Sequence, residues 1–198
     1  AGFGAVVLRQ SLDRRARVAA DGEESVGASA HGVIPAAKEL TVTPITVGAS
    51  GEASEALRKL RTNLRFVGVD KPLQSMVVTS PNEGEGKSTI AAHLALLMAG
   101  SGRQTILVDA DLRRPRVAKL FGVDDAVGLS EVLVSSVGRN DALISVGSRL
   151  KILPCGQLPP NPSELVGSDR MQSIIAALSK DAIVIIDAPP LLPVTDAG

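Results

Sequence analysis

From residue 73 onward, short apolar runs alternate with stretches whose apolar residues recur every three or four positions. The runs at about 73–79, 104–109, 150–153 and 182–187 read as strands, and the segments near 87–100, 114–121, 129–136 and 162–179 read as helices. This alternation predicts an α/β fold: a mostly parallel, doubly wound sheet flanked by helices, with ligands at the carboxyl ends of the strands. Upstream, Leu57, Leu60, Leu64 and Val67 give a helix from about 51 to 67 one apolar face. Glu55, Arg58 and Arg61 fall on another face of it, at steps of three. A helix start near 162 is marked by Asn161 as cap, Pro162 at the first position and Glu164 three residues after the cap.

The first fifty residues are different in kind. Residues 19–50 are rich in Ala, Gly, Ser, Val and Thr and read as a linker, with Gly32-Val33-Ile34-Pro35 as a short strand ended by proline. Ala1 to Leu8 is apolar, stops at Arg9 and is followed by Arg14, Arg15 and Arg17. That transition fits the cytoplasmic end of a membrane helix with its positive-inside residues, and equally an ordinary amphipathic helix. No run of about 18 apolar residues forms a complete span, and no secretory signal is evident. Only about four core strands occur before Gly198, fewer than a doubly wound domain usually has. The domain is therefore expected to be incomplete at its C-terminus.

Composition narrows the function. Lys+Arg and Asp+Glu balance at 21 each among 198 residues, so no basic excess argues for nucleic acid. Trp and Tyr are absent, which removes most stacking platforms for single strands. The single cysteine, Cys155, excludes an internal disulfide and reads as a small buried apolar residue rather than a nucleophile. His93, inside a helix, reads as a packing or surface histidine, and His31 carries no signal.

The chemistry is concentrated between the first strand of the alternating region and its helix. The segment Thr79-Ser80-Pro81-Asn82-Glu83-Gly84-Glu85-Gly86-Lys87-Ser88-Thr89 joins them. Backbone N–H groups of such a loop hold β- and γ-phosphates, and the following helix presents its positive dipole end to the same anion. Lys87 would reach the phosphates and Ser88 would ligate Mg²⁺. Asn82, Glu83, Gly84, Glu85, Gly86 and Thr89 complete the nucleotide-binding set. Pro81 stands where the first glycine of G-x-x-x-x-G-K-[ST] belongs, so the entry must bend differently, with Gly84 and Gly86 giving the flexibility. Glu83 and Glu85 should point to solvent. The alternative is a glycine-rich turn that binds nothing.

Two strands end in acids. Ile106-Leu107-Val108-Asp109-Ala110-Asp111 puts both carboxylates on one side if the strand persists that far. One could hold Mg²⁺ through water and the other accept a proton from an attacking hydroxyl. Ile183-Val184-Ile185-Ile186-Asp187 is the second, with Asp187 in the position of a Walker-B aspartate. Each acid alone is also a common turn former; three elements in this order argue for a site. Arg113 and Arg114 could touch phosphate, although Arg114 reads mostly as surface charge.

With these residues in hand, the chain resembles the bacterial tyrosine kinases of capsule and exopolysaccharide biosynthesis. The likeness is to the cytoplasmic P-loop NTPase domain of a polysaccharide co-polymerase, or chain-length regulator. It covers residues 50–198, and the preceding linker more faintly. It is carried by Gly84-Glu85-Gly86-Lys87-Ser88-Thr89, Asp109-x-Asp111-x-Arg113, Asp187-x-Pro189-Pro190, Pro159-Pro160-Asn161-Pro162-Ser163-Glu164-Leu165 and Glu55-x-x-Arg58-x-x-Arg61. The resemblance implies residues 1–50 as juxtamembrane segment and linker, and 51–198 as an ATP- and Mg²⁺-dependent kinase domain at the cytoplasmic face of the plasma membrane. It implies Lys87 as stabiliser of phosphate charge, and Ser88, Asp111 and Asp187 as Mg²⁺-positioning residues. Asp109 becomes the general base, and Glu55, Arg58 and Arg61 become contacts in a ring-shaped homo-oligomer. The implied partners are the membrane-embedded regulator part and a tyrosine-rich tail of the same or a neighbouring chain. The sequence departs here: without a tyrosine these 198 residues cannot autophosphorylate on tyrosine, so either the tail lies beyond Gly198, the reading the few strands favour, or the chain is a degenerate member that hydrolyses or merely binds ATP.

Two other classes stay open. A MinD- or ParA-like partition or positioning ATPase typically has a second lysine early in the loop, where this chain has Asn82. A nucleotide-gated, non-catalytic assembly module would use Glu55, Arg58 and Arg61 without phosphoryl transfer.

Overall fold

Residues 73–191 order themselves around strands with buried residues on both faces. The computed structural model describes residues 4–7, 33–35, 37, 40, 51–66 and 73–191. The strands are β1 (Gly4–Val7), β2 (Ser75–Thr79), β3 (Thr105–Asp109), β4 (Ile144–Val146), β5 (Leu150–Leu153) and β6 (Ile183–Asp187). The helices are α1 (Glu52–Leu64), α2 (Lys87–Gly100), α3 (Val117–Phe121), α4 (Leu129–Leu133), α5 (Pro162–Val166) and α6 (Asp169–Leu178).

One sheet holds the strands in the order β1-β2-β6-β3-β5-β4. All pairs are parallel except β4 with β5. Alternate residues of each strand face opposite layers. Val78, Leu107, Ile152 and Ile185 pack with Leu60 and Leu64 of α1, Leu94 and Met98 of α2, and Phe121 of α3. Val108, Leu153, Val184 and Ile186 pack with Leu129 and Val132 of α4 and Ile174, Ile175 and Leu178 of α6. α2 buries apolar residues around nearly its whole circumference, because α1 covers the side that does not face the sheet.

The α/β, mostly parallel, helix-flanked architecture follows the sequence expectation; several boundaries do not. Residues 33–35 form no strand. Gly4–Val7, read as part of a helix, is a strand pairing in parallel with β2 from Gly4–Met76 to Val7–Thr79. The remainder of the N-terminal stub and most of the linker, including the arginines, lie outside the described residues. The edge strand β4 was not anticipated. The expected helix over 162–179 is two helices, because Gly167 ends α5 and Ser168 Oγ accepts from Met171 N (3.2 Å) to cap α6. Among the described residues, no helix is long and apolar enough to cross a membrane.

Candidate nucleotide site

β2 → α2 → β3 is a crossover that skips one strand position, and β6 fills it. The carboxyl ends of β2, β6 and β3 therefore stand side by side. Val78 pairs with Asp187, and Asp187 with Asp109. Backbone bonds tie the tips together: Ala188 N donates to Val78 O, Ala110 N to Asp187 O and Leu191 N to Ser80 O, each at 2.9 Å. Thr79 Oγ1 donates to Pro189 O at 2.7 Å.

The loop after β2 bends through its own side chains. Ser80 Oγ donates to Asn82 O (2.6 Å), closing the turn at Pro81. Asn82 Nδ2 donates to Glu85 Oε1 (3.0 Å). Gly86 then takes φ 83°, left-handed backbone that a side chain would strain, and α2 begins at once with Lys87. No acidic residue occupies the first turn of α2, so its positive end faces the loop uncompensated. Glu83 and Glu85 do not simply face solvent, since Glu83 pairs with Arg114 and Glu85 with Asn82.

Lys87 and Ser88 are buried. Lys87 Nζ lies 2.6 Å from Asp111 Oδ2 and 3.7 Å from Asp187 Oδ1. The second distance is an ion pair but too long for a hydrogen bond. Both Asp187 oxygens are buried without a hydrogen-bond partner among the described residues. Burial raises the Asp187 pKa to about 6 against the opposing pull of Lys87. Asp109 is fully buried. Its Oδ2 accepts from Arg116 N (3.0 Å) and Val117 N (2.9 Å), filling orphan donors at the start of α3. Its Oδ1 has no hydrogen-bond partner among the described residues, and burial, then the neighbouring Asp187, raises its pKa to about 7.

β3 ends at Asp109, so Asp111 belongs to the following turn. The two carboxylates consequently part: Asp111 faces Lys87 while Asp109 faces the α3 amides. Asp111 and Asp187 flank one ammonium and Asp109 adjoins Asp187 on the next strand, which leaves excess negative charge and bare oxygens that suit a hard cation beside a polyphosphate. No group of three or more His, Cys, Asp or Glu among the described residues forms an all-protein metal cage. A magnesium-like ion does not need one, because it keeps waters and phosphate oxygens in its shell.

Sequence reasoning missed the contacts around this centre. Arg114 pairs with Glu83 across the loop, and Arg113 donates to Ser163 Oγ of α5 (3.0 Å). Glu131 of α4 accepts from Gly128 N (2.8 Å) and Gln157 N (3.3 Å), clasping the segment after β5. Gly128 and Gly156 signal that clasp, since an added Cβ at either would overlap its neighbours. Cys155 is buried with its thiol pKa pushed up to about 12, mainly by burial, so it is unreactive packing. His93 is buried, with Nε2 3.1 Å from Leu40 O. Away from the site, Glu55 and Arg58 form an exposed pair at 2.9 Å, whereas half-buried Arg61 turns inward to Leu97 O (3.4 Å).

Residues 72–190 match a family model described as ParA, NUBPL iron-transfer P-loop NTPase. The tyrosine-protein kinase YwqD of Bacillus subtilis is 41% identical over 73% of this chain and 62% of its own length. The putative tyrosine-protein kinase CapB of Staphylococcus aureus is 31% identical over 82% of this chain and 73% of its own. The crystal structure of the chimerical protein CapA2B2 aligns with TM-score 0.77 and 36% identity, covering 91% of this chain and 79% of that one. The cell division ATPase MinD of Pyrococcus furiosus shares the fold more distantly, with TM-score 0.53 over 60% of this chain. The chain spans from 20% to 73% of the length of the first curated relatives it matches. The P-loop fold implies nucleotide binding with a divalent metal, and the chain belongs to the family of bacterial P-loop tyrosine kinases.

Proposed function

We propose that the protein is an ATP- and Mg²⁺-dependent tyrosine kinase that regulates the polymerisation and export of capsular or exopolysaccharide. The observation that carries this reading is Lys87, buried at the start of α2 between Asp111 and Asp187. In this arrangement the carboxylates hold the ammonium where phosphate oxygens would take it. Backbone amides of the loop and of the first turn of α2 would cradle the phosphates. Ser88, Asp111 and Asp187 would hold Mg²⁺ directly or through water, and the bound ion would supply neutralisation of phosphate charge. Asp109 accepts the proton of the tyrosine hydroxyl as its oxygen bonds to the γ-phosphorus and the bond to the β,γ-bridging oxygen breaks, releasing ADP. Its bare Oδ1 and a pKa of about 7 suit that task at neutral pH.

The acceptor tyrosine lies outside these 198 residues, on a tail of the same or a neighbouring chain. The protein works at the cytoplasmic face of the membrane beside a membrane-embedded regulator. Self-association into a ring uses the exposed Glu55–Arg58 face, with Arg61 bracing α1 against α2. Purified protein with labelled ATP, Mg²⁺ and a tyrosine-rich peptide should yield phosphotyrosine, and Lys87→Ala should abolish it. Hydrolysis stimulated by DNA or membrane without tyrosine labelling would replace this reading with a positioning ATPase. Nucleotide-dependent association without turnover would leave an assembly module.

A further inference from the structure

Residues 113–119, Arg-Arg-Pro-Arg-Val-Ala-Lys, carry four cations and no acid in a chain that is neutral overall. They form the turn and first residues of α3 directly after the acidic tip of β3. Two of the cations are engaged: Arg114 with Glu83, and Arg113 with Ser163. Arg116 and Lys119 are exposed, and among the described residues neither side chain has an ion-pair or hydrogen-bond partner. They sit at the cap and third position of α3, which places them on one face of its first turn. The Arg116 backbone amide donates to Asp109 Oδ2 at 3.0 Å, so this positive face begins at the residue that touches the carboxylate that would receive the acceptor's proton. Asp124 and Asp125 follow after α3 has ended, and neither pairs with these two cations; Asp124 Oδ1 instead accepts from Ala126 N (3.0 Å).

We infer that Arg116 and Lys119 select the protein substrate by binding acidic residues that flank the acceptor tyrosine. This rests on the tyrosine kinase reading and names the substrate class that reading leaves open. A hydroxyl delivered to Asp109 brings its neighbouring residues past Arg116. Two unpaired cations there reward carboxylates and repel lysines. The Arg114–Glu83 and Arg113–Ser163 contacts hold the segment still, so the positive face keeps its position relative to the phosphate loop. The effect is one of specificity and encounter rate, as expected of partly exposed charges.

The test uses two fluorescent peptides, each with one tyrosine, flanked by glutamates in one and by lysines in the other. Binding is followed by anisotropy with Mg·ADP present, and phosphorylation with Mg·ATP. The wild-type protein should prefer the acidic peptide by about 10-fold or more at low salt, and the preference should shrink as salt rises. The double variant Arg116→Glu, Lys119→Glu should reverse the order of the two peptides in both assays. A fold defect would weaken both peptides together and would not invert them, and Arg116→Lys should retain the wild-type order. Equal binding of the two peptides by the wild type, or an unchanged order in the charge-reversed protein, overturns the inference. Selective binding with no phosphotyrosine would overturn the kinase reading while leaving the acidic-peptide surface in place.

Discussion

Replacing Asp187 with asparagine should stabilise the nucleotide-free protein while damaging its response to nucleotide. Lys87 already has a hydrogen-bonded carboxylate in Asp111 at 2.6 Å, so Asp187 is a second, poorly satisfied acid beside one ammonium. Its pKa rises from 3.8 to about 6 on folding. The sign follows directly. A carboxyl with a raised folded pKa binds more protons folded than unfolded, so stability falls as pH climbs through that window. The cost is absent below about pH 4 and complete above about pH 6, where it amounts to about 3 kcal/mol. Asparagine has no such cost, and its loss of charge also eases the burden on neighbouring Asp109. For a domain of this size, the gain corresponds to about 6–12 °C in Tm. Thermal melts at pH 4.5 and pH 8, with and without Mg·ADP, read this out. The variant should melt near wild type at pH 4.5 and well above it at pH 8. Mg·ADP should raise the wild-type Tm strongly and that of the variant little. A variant that melts at or below wild type at pH 8 without nucleotide, or a difference independent of pH, would refute the reasoning.

Other outcomes follow from the same geometry. Lys87→Ala leaves Asp111 and Asp187 buried without their cation, and should cost about 3 kcal/mol in urea unfolding at pH 8. Titration calorimetry on the same variant should show Mg·ATP affinity lower by about 10- to 100-fold. Asp109→Asn keeps an oxygen for the Arg116 and Val117 amides, so its circular dichroism should match wild type while kcat falls about 100-fold or more. With Asp109 intact, kcat should rise with pH up to about 7 and then level; a flat wild-type profile would remove Asp109 as base. Gly156→Ala forces a side chain into backbone at φ 78° and against the Glu131 carboxylate, and should lower stability by about 2 kcal/mol or more in a denaturant titration.

Long apolar runs bracketed by special loop chemistry were readable without coordinates. β2, α2, β3 and β6, with Lys87, Asp109, Asp111 and Asp187 at their ends, announce themselves through a pattern that local sequence alone carries. What escaped depended on distant partners. β4 is three residues, half-buried Ile144 and Val146 around exposed Ser145, that become a strand only because β5 offers an edge. Gly4–Val7 looks the same whether it ends a helix or pairs with β2. The break between α5 and α6 turns on one glycine followed by a serine cap, a signal easily lost inside a periodic stretch. Arg114 resembled surface charge because nothing in its own neighbourhood points to Glu83, 31 residues earlier. The divergence of Asp109 from Asp111 followed from where β3 stops, and strand ends are set by pairing as much as by sequence.

β6 comes last among the described strands, yet it occupies the position between the two that precede it on either flank. A chain emerging from the ribosome makes β2 and β3 long before the strand that must separate them. Until then, neither edge has its neighbour and the nascent phosphate loop lacks its floor. Such late closure favours slow, all-or-none maturation, because contacts distant along the chain must form together. Half-made copies would therefore be unable to capture nucleotide, a safeguard that comes from strand order rather than from any dedicated inhibitor.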